Sequence, residues 1–162
     1  MSMKRLGKEL AAVVTVLFAA ATLAVFAADS VDTAKKKAMA LIDKGFAHIK
    51  KAGKEQAFKD FTAKNGGFVD GEYYIFVVDF KGLTLAHGGN AALVGQSMFA
   101  LKDADGKLFI QEFIKTAREK GSGWVDYKWS NPTTKMVEPK STYVRKMEGA
   151  DFFLGCGIYL AK

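Results

Sequence analysis

The stretch Gly121–Tyr143, GSGWVDYKWSNPTTKMVEPKSTY, constrains this chain more than any other. It opens on a glycine-rich turn, then alternates aromatic or aliphatic residues with polar ones from Trp124 to Trp129. Such alternation marks a strand with one buried face. Asn131-Pro132 ends it, because proline has no N–H for a ladder and turns its predecessor away from helix. A polar loop is then expected through Pro139 and Lys140, with a second strand starting near Tyr143. A hairpin with so long a tip brings rings, phenol hydroxyls and one amine toward each other. Those are the materials of a small-ligand site, an apolar slot with a few polar fixing points.

The rest of the chain supplies partners for that hairpin. Val31, Ala34, Ala38, Leu41, Ile42, Phe46 and Ile49 recur at three- and four-residue steps, which predicts one long amphipathic helix. A second short helix follows Gly53, with Phe58 and Phe61 inward, and Asn65-Gly66-Gly67 ends it. Tyr73–Asp79 and Leu83–His87 read as strands joined at Lys81-Gly82. Leu108–Lys120 reads as a helix with Phe109, Phe113, Ile114 and Ala117 inward, and Phe152–Leu160 as a last strand. Hairpin links imply an antiparallel sheet with helices set to one side, an α+β domain.

Residues 1–28 read as a signal peptide. Lys4, Arg5 and Lys8 precede an uncharged run from Leu10 to Ala28, and small residues close it, so cleavage is expected after Ala27 or Ala28. The rival reading is an uncleaved membrane anchor, since about 18 apolar residues begin to span a bilayer. Either way, residues 29–162 lie outside the cytoplasm, in the periplasm or the medium. At 162 residues the chain has room for one domain with a real core. Its net charge of +7 comes mostly from lysines on a solvated helix face. No motif for nucleic acid accompanies that charge.

Chemistry-bearing residues are few. Tyr127 and Trp129 share a strand face with Val125, where core packing and a pocket wall are both served. His87 ends a strand before Gly88-Gly89-Asn90; it is either a hydrogen-bonded structural residue or a donor to an anion. Lys140 is either an exposed lysine or a point charge for a ligand. His48 reads as structural. Asp103, Asp105, Gly106 and Glu112 match a calcium loop at all but its first position, where Leu101 cannot ligate, so an Asp-Gly turn is the better reading. Cys156, the single cysteine, shares a face with Leu154 and Ile158 and reads as an inert core thiol, with Gly155 and Gly157 facing the other way beside Tyr159. Two histidines and one cysteine are a poor supply for a metal site. No nucleophile-elbow, Walker, zincin or Rossmann pattern occurs, so no catalytic set, metal or cofactor is expected.

The segment Gly121–Trp129, with Pro132, Pro139-Lys140-Ser141-Thr142-Tyr143-Val144 and Gly155-Cys156-Gly157-Ile158-Tyr159, resembles the signature of the single Cache domain, an extracytoplasmic bacterial sensor module. Tyr74 with Val77 and Asp79, then Leu85-Ala86-His87, then Leu101-Lys102-Asp103 with Asp105-Gly106, extend the match in order and spacing. One departure is Gly88, where the family has a proline after the histidine. The resemblance implies a long N-terminal helix followed by a PAS-like antiparallel sheet of about five strands. It implies a stand-alone ligand-binding domain over residues 29–162, not an enzyme, with a pocket formed by His87, Tyr127, Trp129, Lys140 and Tyr143. The ligand it suggests is a small organic anion such as a short carboxylate. Because the chain ends at Lys162, directly after the last strand, no output domain is expected. Signalling would then pass to a membrane-bound partner, and the long helix offers a face for a homodimer. The alternatives are a periplasmic metal-binding protein or enzyme using the same pocket, and a structural envelope adaptor with a filled core.

Overall fold

A computed structural model describes residues 30–160. The signal-peptide reading of residues 1–28 falls outside them. Contacts group the described residues from Lys35 onward as one unit.

Helix α1 runs over 30–52, as the apolar stripe requires. Ala38, Ile42, Phe46 and Ile49 are buried along it. Gly45 faces inward among them; a Cβ there would meet the Ile75 and Leu154 side chains at 2.7 and 3.0 Å, so the helix lies close on the sheet. Helix α2, Lys54–Thr62, buries Ala57 and Phe61. His48 is structural, its Nε2 2.7 Å from an Asp60 carboxylate oxygen.

Strands β1 (Val69–Asp70) and β2 (Tyr73–Tyr74) form a small separate pair. Strands β3 (Phe76–Asp79), β4 (Thr84–His87), β5 (Ser122–Ser130), β6 (Val137–Lys146) and β7 (Phe152–Tyr159) form a five-stranded sheet in the order β4-β3-β7-β6-β5. Every pairing is antiparallel. The predicted run Tyr73–Asp79 is thus two strands, parted at Ile75. A register shift between Val77 and Val78 bends the β3–β4 pair.

Helix α3, Phe109–Lys120, buries Phe109, Ile110, Phe113, Ile114 and Ala117, the inward set that its periodicity predicts and Ile110 beside it. Each of the larger side chains contributes about 1.5–3 kcal/mol by leaving water. The helix ends where Gly121, at φ 77°, donates its N–H to Ala117 O, a left-handed cap that glycine takes without strain.

Each sheet edge is bonded by a neighbouring loop at one point. Gly95 and Gln96 bond the backbone of Thr84 on β4. On β5, Asp103 accepts the Lys128 N–H at 3.0 Å. The same carboxylate accepts the N–H groups of Asp105 and Lys107, each at 2.9 Å, which makes this segment the Asp-Gly turn expected.

The hairpin differs from its predicted form. Its tip is shorter, 131–136, and Pro139 and Lys140 lie inside β6. Pro139 is tolerated there because its carbonyl accepts from Leu160 N at 2.9 Å, so its own nitrogen faces the place where β7 has already ended. Asn131 and Glu138 brace the tip: Asn131 Nδ2 donates to Glu138 Oε2 at 2.8 Å, and Asn131 Oδ1 accepts from Thr133 N at 2.9 Å.

Candidate functional site

Register decides which side chains meet. Tyr127 pairs with Lys140 and Lys140 with Tyr159, so all three project from one face. Trp129, Thr142, Gly157 and Phe76 share that face by the same counting. Tyr143 pairs with Trp124 and projects from the other. There its ring lies 5.4 Å from that of Trp124, over which Lys35 of α1 places its ammonium at 5.2 Å. Tyr143 therefore does not join the predicted set. It lies three residues from Lys140, and odd spacing within one strand reverses the face.

Lys140 is the centre of the set and is 1% exposed. Its Nζ donates to Tyr74 Oη at 2.7 Å and to Tyr159 Oη at 3.2 Å. It also lies over both rings, 4.2 and 4.5 Å from their centroids. None of the ion pairs among the described residues includes it. Burial lowers it from 10.5 to about 7, outweighing the raising effects of the Cys156 thiol and the Glu72 carboxylate. Tyr159 Oη donates to Ser130 O at 2.8 Å. Burial holds Tyr74 and Tyr159 well above the ordinary phenol range, so both stay protonated.

Glycine makes room for this amine. A Cβ at Gly157 would collide with Lys140 Cε and Thr142 Oγ1, and one at Gly155 with the Phe76 ring. The lysine stem thus crosses β7 where that strand has no side chain.

His87 is 7% exposed, with its ring 5.0 Å from that of Tyr74 and 5.9 Å from that of Phe76. Its Nδ1 accepts the Asn90 N–H at 2.9 Å, which leaves the ring proton on Nε2. Burial, with Lys140 nearby, lowers it to about 3, so the ring is a neutral donor at physiological pH.

Two hollows meet at this network. The inner one lies between the sheet and α3, lined by Phe76, Val78, Thr84, Met98, Phe109, Ile110, Phe113 and Tyr127, and holds about 20 Å³. Phe109 stacks on Tyr127 at 4.5 Å and lies 5.3 Å from Trp129. The outer one is a bowl of about 330 Å³, lined by Tyr74, Gly89, Asn90, Asn131, Pro132 and Lys135 among others. His87 and Trp129 line both. Lys140 lines neither; it stands behind Tyr74. The predicted residues His87, Tyr127, Trp129 and Lys140 are thus brought together. Tyr74 and Tyr159, which bond Lys140, and Thr84, which lines the inner hollow, were not among the predicted residues. The glycines beside Tyr159 were a usable signal, but placing them opposite Lys140 needs the β6–β7 register.

A sheet backed by a long helix on one face and hollowed under a second helix on the other is the PAS-like α+β fold of sensor domains. The model of the single Cache domain 2 family matches residues 29–162, and the chain belongs to that family. Its relatives include the sensor histidine kinase MctS of Rhizobium johnstonii, 33% identical over 109 residues, which cover 67% of this chain and 23% of that protein. The methyl-accepting chemotaxis protein McpP of Pseudomonas putida is 26% identical over 91 residues, covering 56% of this chain and 17% of that one. The chain therefore spans less than a quarter of either curated relative's length. Among solved structures, a methyl-accepting chemotaxis protein of Vibrio parahaemolyticus superposes with a TM-score of 0.70 at 24% identity, covering 83% of this chain and 93% of that one. A Cache chemosensory domain described for its recognition of carboxylic acids superposes at 0.68 with 23% identity, covering 82% and 97%. The chain is thus a sensor-type domain of a ligand-binding, extracytoplasmic family. Among the described residues no helix is long and apolar enough to cross a membrane.

Proposed function

We propose that this domain binds a small organic anion, a short carboxylate, in the outer bowl and its neck. The observation that carries the reading is the Lys140 amine, 1% exposed and held against the hydroxyls and rings of Tyr74 and Tyr159. A buried cation is tolerated best when an anion completes it. An acid in the bowl meets the Tyr74 phenol, whose oxygen already accepts from Lys140 and which is thereby polarised as a donor. The His87 Nε2–H is a second donor, and the rings of Trp129 and Tyr127 bound the apolar part. Recognition of carboxylic acids by a neighbour of the same fold agrees with this. Residues 1–28 act as the export signal, cleaved after Ala27 or Ala28. The bound state is read by a membrane-bound signalling partner. Tyr143 has no part in the site.

Thermal-shift measurements on the purified protein test the reading with acetate, propionate and pyruvate beside amines of matching size. The acids are expected to raise Tm, the amines to leave it unchanged, and Lys140→Met to abolish the shift. A shift of wild-type size in Lys140→Met, or stabilisation by the amines, overturns it.

A further inference from the structure

The Thr84 side chain is 2% exposed, and its hydroxyl has no hydrogen-bond partner among the described residues. The backbone around it is fully engaged. Its N–H donates to Gln96 O and its carbonyl accepts from Gly95 N, both at 2.9 Å. Those bonds fix the strand, so the hydroxyl cannot turn to solvent by sliding. A dry hydroxyl costs more than a methyl of the same shape, and valine would suit this β-branched strand position without that cost.

Register sets Thr84 opposite Val78, on the face that carries Phe76 and His87, and it lines the inner hollow. That hollow holds about 20 Å³, room for one water-sized group. Val78, Met98, Ile110 and Phe113, which bound the same space, are apolar. The Tyr127 oxygen accepts from Thr142 and His87 Nδ1 from Asn90, which leaves the Tyr127 O–H and the His87 Nε2–H to donate. The Thr84 hydroxyl has no partner among the described residues, and a hydroxyl or oxo oxygen carried in on a ligand supplies one. The hollow is thus sized for one polar tip and opens, past His87 and Trp129, toward the bowl.

We propose that Thr84 is a specificity-determining residue, whose hydroxyl receives a hydroxyl or oxo group at the end of a short acid remote from its carboxylate. This rests on the carboxylate reading of the bowl. It places hydroxy- and oxo-acids ahead of plain aliphatic acids of equal length.

Titration calorimetry with the purified protein tests it on a matched pair, 3-hydroxypropionate and butyrate, which differ by one oxygen in place of a methyl. The wild type is expected to favour the hydroxy acid by about fivefold, the worth of one net hydrogen bond. Thr84→Val should lose that preference while still binding butyrate, and Thr84→Ser should keep it. Thr84→Val should also fold at least as stably as the wild type, which separates recognition from unfolding. An equal ratio of the two affinities in wild type and Thr84→Val overturns the proposal and leaves the carboxylate reading standing. If the wild type binds neither acid, both fall.

Discussion

Lys140 donates to the Tyr74 hydroxyl at 2.7 Å, joining β6 to β2 across 66 residues of chain. The bond ties the charge at the centre of the site to a ring that lines the bowl. A ligand that moves Tyr74 therefore acts on Lys140, and through it on Tyr159 at the end of β7.

The burial of Lys140 gives stability a pH dependence of known sign. Its amine titrates at about 7 against an ordinary 10.5. Between those values the unfolded chain holds more protons, so this group makes stability rise with pH from about 7 to 10.5. His87, at about 3 against 6.5, acts in the same direction lower down. Its contribution is complete above 6.5 and is lost as the pH falls toward 3. Scanning calorimetry of the unliganded protein should show Tm climbing between about pH 7 and 9.5, with a flatter climb in Lys140→Met. Equal slopes would remove Lys140 from the titration.

Gly157 is where an added methyl should do the most harm for its size. Its Cβ would fall on Lys140 Cε and Thr142 Oγ1, both buried. Gly157→Ala is expected to cost about 1–3 kcal/mol by overpacking, a drop in Tm on the order of 5–10 °C. It should also weaken the response to acids, because Lys140 must leave its place between the two phenols. Full acid binding in a destabilised Gly157→Ala would separate the lysine's position from recognition.

Gly88 has a reason of its own to differ from the proline of the family pattern. Its N–H donates to Ile75 O at 2.9 Å, carrying the β3–β4 pairing one residue past His87. Proline has no such proton, and the residue at 75 is fully buried. Gly88→Pro should cost about 2 kcal/mol or more by stranding that carbonyl. Gly88→Ala keeps the N–H but sets a Cβ 2.8 Å from Phe61 O. Comparing the two by chemical denaturation isolates the hydrogen bond, and equal costs would show that crowding alone decides.

Much of this was legible in the sequence, and the illegible part has a physical cause. The inward face of α3, the parity of Cys156 with Leu154 and Ile158, and the role of His48 follow from periodicities of three-to-four and two. Pro139 misled, because a proline in a strand is tolerated only beside a neighbour that has ended, and sequence does not show where β7 ends. A strand begun near Tyr143 leaves Lys140 outside the alternation; one begun at Val137 sets the two on opposite faces by their odd spacing. Thr84 was invisible for a different reason: an unpartnered hydroxyl is a property of a finished core.

Cys156 carries one more consequence. Its thiol is fully buried, and burial pushes it up to about 12. Oxidants and disulfide exchangers outside the cytoplasm act on exposed thiolates. This sulfur offers them none while the sheet is closed. It also makes the chain its own gauge: alkylation of that sulfur can proceed only as fast as the central strands part.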